Sequence, residues 1–324
     1  MRTPVRSSGK PSFRLQGRIA LAVAIALAPG AVSVPAAQPA DTASTPRPYV
    51  IGNSQLVDFR SAINGRNYQL AVHLPWTYAS NPTRRYPVVY FTDGTWDFPL
   101  LVSIYSNGLF DRTIPDCILV GLTYSGTNPD YGSLRSRDYV PTGNAVPPGH
   151  VPDGAEGFLR VLEHEIVPLV QSRWRVDTSF RVLQGSSLGG LFTLYAMFSR
   201  PGLFQAYVAV SPAIAPGLVD SEAAFHKSGR DLSGSLYLTS AEHEFPGDSR
   251  FLEKIQGFAD SLRQHRYAHL RYHYRFLDDT RHASAKAEGY ARGLQFAFQP
   301  LEGECGDGRP SREPSSEDPC PRDR

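Results

Sequence analysis

Cysteine is scarce in this chain, with three among 324 residues. None groups with histidines at metal-ligand spacing, which argues against a zinc-type centre. An excess of either charge is also missing. Lys and Arg total 33 against 31 Asp and Glu, for a formal net charge of +2. No basic run interleaves with aromatics, which argues against an extended nucleic-acid surface. Long apolar runs are lacking apart from residues 19–28, a stretch too short to span a bilayer comfortably. There is no internal repeat and no sign of a second core.

The cysteines differ in setting. Cys117 opens a very apolar stretch, 117–123, and reads as a buried free thiol. Cys305 and Cys320 sit in a polar tail, where an oxidising compartment would make them candidates to pair. The N-terminus supplies reasons to expect such a compartment. Arg2, Arg6, Lys10, Arg14 and Arg18 precede the apolar run, and small residues surround Val34, Ala36 and Ala37. This pattern predicts a secretory signal over residues 1–37 and a periplasmic or extracellular location, with no stable membrane insertion after cleavage. A retained short anchor is the alternative. Residues 38–48, rich in Pro, Ala and Thr, read as a flexible leader.

With 41% hydrophobic residues the remainder can build a full core. Residues 54–63 and 66–74 partly alternate around Asn64-Gly65, a hairpin signal. Residues 87–92 and 117–123 are nearly continuous apolar strands, suited to burial on both faces of a parallel sheet. Residues 125–150 read as a long Pro- and Gly-rich loop. A helix is predicted over 153–174, kinked at Pro168, with Phe158, Leu162, Ile166, Leu169 and Val170 on one stripe. Strands follow at 206–210, 235–240 and 270–276, and helices at 250–266 and 284–298. From Pro300 onward the composition predicts a disordered tail, 300–324. The fold class is therefore α/β: a mainly parallel central sheet with helices on both faces, led by an antiparallel hairpin, in one domain over 49–299.

The richest segment is Arg181-Val182-Leu183-Gln184-Gly185-Ser186-Ser187-Leu188-Gly189-Gly190-Leu191. A strand, a tight turn and a helix put Ser187 at the centre of a G-x-S-x-G nucleophile elbow. The backbone N–H of Leu188 would face an oxyanion formed at that serine. A serine hydroxyl needs a base, and in elbow-type hydrolases the chain order is serine, acid, histidine. Six histidines follow the elbow: His226, His243, His265, His269, His273 and His282. His226 lies in a polar connection, too early in the chain. His282 sits just past the last strand, where a base belongs. The acid should follow strand 235–240, with Glu244 first choice, Glu242 second and Asp248 third. A second oxyanion donor is expected from Thr92-Asp93-Gly94-Thr95-Trp96, with Gly94 bending the backbone inward to present the Thr95 N–H and Asp93 bracing the loop.

Several segments together make the chain resemble the esterase D-type branch of the α/β-hydrolases. They are Tyr90-Phe91-Thr92-Asp93-Gly94, Val120-Gly121-Leu122, Arg135-Ser136-Arg137-Asp138-Tyr139-Val140-Pro141-Thr142, the elbow, Ser211-Pro212 and Thr280-Arg281-His282-Ala283-Ser284. That branch includes siderophore esterases, feruloyl esterases, S-formylglutathione hydrolases and mycolyltransferases. The resemblance covers most of residues 49–299 and implies the α/β-hydrolase fold, Ser187 as nucleophile, His282 as base, and Thr95 and Leu188 as backbone oxyanion donors. The family acid falls in G-x-x-[DE], which corresponds to Ala241-Glu242-His243-Glu244, with alanine in place of the glycine. Arg135, Arg137 and Asp138 have two readings, a salt-bridge network holding the loop or contacts to an acidic or catecholate substrate. The expected activity is secreted serine ester hydrolysis without cofactor or metal, on a small-molecule ester, with a siderophore lactone the leading substrate. An acyltransferase and a non-catalytic binding protein of the same fold are the rivals.

Overall fold

The computed structural model describes residues 47–142, 154–245 and 247–302. The predicted signal, most of the leader, part of the 125–150 loop, Cys305, Cys320 and the tail from 303 lie outside the described residues. The sheet and its helices lie in the unit that begins at Val50. Among the described residues no helix is long and apolar enough to cross a membrane.

Eight strands form one sheet in the order β1-β2-β4-β3-β5-β6-β7-β8. They are β1 Ser54–Arg60, β2 Asn67–His73, β3 Tyr86–Phe91, β4 Ile118–Tyr124, β5 Val176–Ser186, β6 Ala206–Val210, β7 Gly234–His243 and β8 Leu270–Arg281. The pairs β1–β2 and β2–β4 are antiparallel, and every other pair is parallel. The fold is thus the expected α/β arrangement with an antiparallel hairpin in front. The central strands are apolar because both faces are covered. Val88 and Tyr90 of β3 enter one core, while Val89 and Phe91 enter the other. Fully burying such a side chain is worth about 1.5–3 kcal/mol, which makes the sheet interior the main source of stability.

The helices are α1 Gly94–Phe110, α2 Tyr131–Tyr139, α3 Gly154–Val161, α4 Val167–Arg173, α5 Leu188–Ser199, α6 Pro216–Lys227, α7 Ser249–His265 and α8 Ala285–Glu302. Residues of α1 and α8 pack in one core and those of α2 to α7 in the other.

Several expectations need correction. The hairpin turn is not the two residues Asn64-Gly65. Its strands stop at Arg60 and Asn67, and Ser61 N–H bonds to the Arg66 carbonyl at 2.9 Å. The wider loop forms because Glu165 reaches in, accepting the Ser61 hydroxyl at 2.5 Å and the N–H groups of Ala62 and Ile63 at 2.7 and 3.1 Å. The predicted loop after Tyr124 contains α2, which starts at an Asp130 cap accepting the Ser133 N–H. The helix predicted over 153–174 is split by a π turn, Leu162–Ile166, just before Pro168. The wider turn accommodates a residue that has no N–H to donate. The sequence pattern does not mark α1 or α6, and His226 lies in the last turn of α6 rather than in a connection.

The last helix continues through Pro300 to Glu302, past the expected boundary at 299. Proline at 300 leaves the Phe296 carbonyl without its helical donor. The Arg271 guanidinium of β8 donates to that carbonyl instead and lies over the Phe296 ring, 3.8 Å from its centroid.

Candidate active site

The parallel strands β3, β5, β7 and β8 all deliver their C-terminal ends to one edge of the sheet. The loops after them carry Thr95, Ser187, Glu244 and His282. Ligands bind at this edge in open α/β sheets.

Ser187 links β5 directly to α5, with φ +58° and ψ −119°. A non-glycine residue in that region costs about 1–3 kcal/mol and must be held there by its surroundings. Ser187 N–H donates to the Val210 carbonyl at 3.0 Å, and the Ser187 carbonyl accepts the N–H groups of Leu191 and Ala213 at 2.9 and 3.0 Å. The flanking glycines are required by close approach. A Cβ at Gly185 would sit 2.4 Å from the Gly189 backbone, and one at Gly189 would sit 2.0 Å from Thr92 Oγ1. The Ser187 hydroxyl makes no capping bond to α5.

Glu244 and His282 meet. His282 Nδ1 lies 2.7 Å from Glu244 Oε2, while Glu244 Oε1 accepts the Ala241 N–H at 2.7 Å. The carboxylate is buried, with 1% of its side chain exposed, against 19% for the imidazole. A carboxylate accepts from both partners, so Nδ1 carries the proton and Nε2 remains as the basic nitrogen. Glu242 takes another route. It accepts the Asp279 N–H at 2.8 Å from a half-exposed position and does not reach His282. Asp248 caps α7 by accepting the Arg250 N–H. No Ser187–His282 hydrogen bond accompanies the Glu244–His282 contact among the described residues.

The other downstream histidines are engaged elsewhere. His265 bonds Glu222 and stacks on His226 at 3.7 Å, His269 bonds Asp231, and His273 stacks on Tyr237. His243 lies 4.0 Å from Glu242.

Thr95 occupies the first turn of α1, and Leu188 opens α5. Helices leave their first N–H groups without internal partners, and both residues occupy such positions. Pairing of β3 with β5 sets these turns side by side, and the Thr92 N–H bonds the Gln184 carbonyl at 3.0 Å. The expected role of Gly94 is corrected. The left-handed residue at this bend is Asp93, φ +58° and ψ +34°. Gly94 instead allows α1 to pack on β4, since a Cβ there would lie 2.8 Å from the Gly121 backbone.

Arg135 projects from α2 and grips Asp93 with two bonds of 2.8 and 2.7 Å. Burial pushes the Asp93 carboxyl above the ordinary carboxylate range, with Arg135 opposing. Asp138, fully buried, bonds Arg66 and accepts the Tyr68 hydroxyl at 3.0 Å. Burial likewise raises its pKa, with Arg66 opposing. Arg137 is exposed on the same helix.

Two aromatic contacts carried no sequence signal. Phe245 lies against the His282 ring with centroids 4.4 Å apart and planes 34° apart, and Phe251 meets it at 5.2 Å and 90°. Phe251 belongs to α7, so only the folded chain brings it there.

The family model described as "Putative esterase" matches residues 61–271. The ferri-bacillibactin esterase BesA of Bacillus subtilis is 30% identical over 182 residues, 52% of this chain and 62% of that protein. The siderophore triacetylfusarinine C esterase of Aspergillus fumigatus is 30% identical over 174 residues, 52% of this chain and 59% of that protein. The chain therefore spans about three fifths of the length of these curated relatives. A crystal structure of an IroE-like serine hydrolase from Shewanella oneidensis superimposes with a TM-score of 0.64 at 25% identity, covering 78% of this chain and 81% of the other.

Proposed function

We propose, since the chain belongs to this esterase family, that it is a serine hydrolase of siderophore esters with Ser187, His282 and Glu244 as its triad. The observation that carries the reading is the buried Glu244–His282 hydrogen bond at the sheet edge where the strained Ser187 elbow also ends. His282 Nε2 takes the Ser187 proton as the hydroxyl oxygen attacks the ester carbonyl. Hydrogen bonds of this kind tighten when substrate binds. The N–H groups of Thr95 and Leu188 receive the oxyanion. The tetrahedral species collapses, its C–O bond breaks, and the leaving alkoxide takes the proton from His282. Water, deprotonated by the same imidazole, then attacks the acyl carbon; the Ser187 Oγ–acyl bond breaks, Oγ takes the proton back from His282, and the acid is released.

The substrate class is drawn from the relatives, two of which are named for siderophore esters. The basic leader and apolar run ahead of residue 37 support secretion, which would put the enzyme where such ligands circulate.

The deciding experiment is Ser187→Ala on the purified protein with a chromogenic short-chain ester and a catecholate lactone. Turnover should fall by roughly 10⁴-fold, and a fluorophosphonate probe should label wild type at Ser187 only. Unchanged turnover in the variant would end the assignment. Labelling with transfer of the acyl group to a sugar or alcohol in preference to water would make the chain an acyltransferase.

A further inference from the structure

The aromatic rings around His282 do more than fill space. Phe245 immediately follows Glu244, so the residue that carries the acid is tied in sequence to the ring that covers the imidazole. The tilted approach at 4.4 Å puts the imidazole against the face of Phe245, while Phe251 closes at right angles. Phe251 also packs against Phe245 at 4.9 Å and 79°, which fixes one ring against the other. Phe245 remains 43% exposed, so its ring contacts are with Phe251 and the imidazole rather than with the buried core. The face of an aromatic ring is the negative end of its quadrupole and attracts a cation placed over it.

We propose that Phe245, held by Phe251, is a positioning residue that stabilises the imidazolium form of His282 during ester cleavage. The proposal rests on His282 being the base. Glu244 works in the plane of the ring through Nδ1, and the phenyl group works on its face. The two contacts are geometrically independent and act in the same direction. Nearby charges are otherwise occupied. Glu242 holds the Asp279 N–H and lies near His243, while Lys286, four residues after His282, is bonded to Asp97 of α1 at 2.8 Å. Arg281 and Asp278 are solvent-exposed neighbours. The Phe245 ring is thus the uncharged group against the imidazole that distinguishes its charged from its neutral form.

The test compares Phe245→Leu, Phe245→Tyr and His282→Gln on a chromogenic ester, reading kcat/KM against pH. Leucine keeps the apolar cover and removes the quadrupole, whereas tyrosine keeps both. His282→Gln should abolish the rate, and if it does not, the triad reading itself fails. With that established, Phe245→Leu should move the acidic limb of the profile to lower pH by about half a unit and lower the plateau several-fold. Phe245→Tyr should restore both. An unmoved limb in Phe245→Leu, or equal shifts in the leucine and tyrosine variants, would overturn the proposal while leaving His282 as base. Because Phe245 is exposed, thermal melting should change little, and a melting point that falls with an unmoved limb would mean packing alone.

Discussion

The two flanks of Ser187 use the same device for different ends. On the flank proposed to hold the oxyanion a buried carboxylate, Asp93, sits at the left-handed bend before α1 and is gripped by Arg135. On the flank proposed to hold the base a buried carboxylate, Glu244, sits just after β7 and bonds His282. Asp93 is 5% exposed and Glu244 4%, so burial does not separate them. The partner does. A guanidinium keeps its charge at every accessible pH and supplies a rigid fork, so Asp93–Arg135 can only hold a shape. An imidazole gains and loses a proton near neutrality, so Glu244–His282 can hold a shape and also take part in proton transfer. A buried carboxylate marks a place where geometry matters, and its partner says whether chemistry follows.

The largest effects should come from exchanging one flank's role for the other's. Glu244→Gln should lower kcat by about 10²–10⁴-fold with little loss of fold, because the amide disturbs the imidazole tautomer and no longer stabilises the imidazolium. Glu242→Gln, two residues away, should stay within a few-fold of wild type in the same assay. If the two glutamates lose activity equally, the base flank is misassigned. Next in size is Arg135→Met, expected to destabilise by about 3–5 kcal/mol in denaturant titration, since it strands the Asp93 charge in the interior. Adding Asp93→Asn should recover much of that loss. Should Arg135→Met instead keep its stability and raise KM for anionic esters alone, Arg135 is a substrate ligand and the contrast between flanks dissolves.

The smallest effect is a slope. Burial raises the folded-state pKa of both Asp93 and Asp138. A carboxyl with a raised folded pKa holds more protons folded than unfolded between the two values. Its contribution to stability is complete below the unfolded value near 3.8 and is lost as pH rises through the folded value. Asp138→Asn should remove that downward component, leaving the variant's stability rising more steeply with pH than wild type over the same mildly acidic window. Denaturant midpoints at closely spaced pH values would show it, and parallel curves would mean the pair with Arg66 cancels the burial effect.

Much of the fold was legible because strong signals are local. Continuous apolar runs marked β3 and β4, and β6 fell where its five apolar residues lie, Ala206–Val210. The helices that the sequence pattern does not mark lack a clean stripe. α1 carries Pro99 and few polar residues on any face, and α2 is mostly polar, so neither shows the period that betrays an amphipathic helix. The strand ends also ran longer than expected. β7 and β8 continue to His243 and Arg281 because they pair with each other beyond the apolar core, and a partner strand is invisible in a one-dimensional pattern.

The candidate site divides along the same line. Gly185, Ser187 and Gly189 could be read directly, since an elbow is a local geometry with steric demands on adjacent residues. The position of His282 followed from chain order. The sequence ranks Glu244 ahead of Glu242 without a physical reason, which lies in the register shift of the β7–β8 pairing between Ala241 and His243, where the two side chains take different partners. Only the packed chain set Glu244 against His282, Arg135 against Asp93 and Phe251 against the imidazole. Backbone turns are dictated by neighbours in sequence, whereas the pairing of buried charges and rings depends on which distant segments share a volume from which water is excluded.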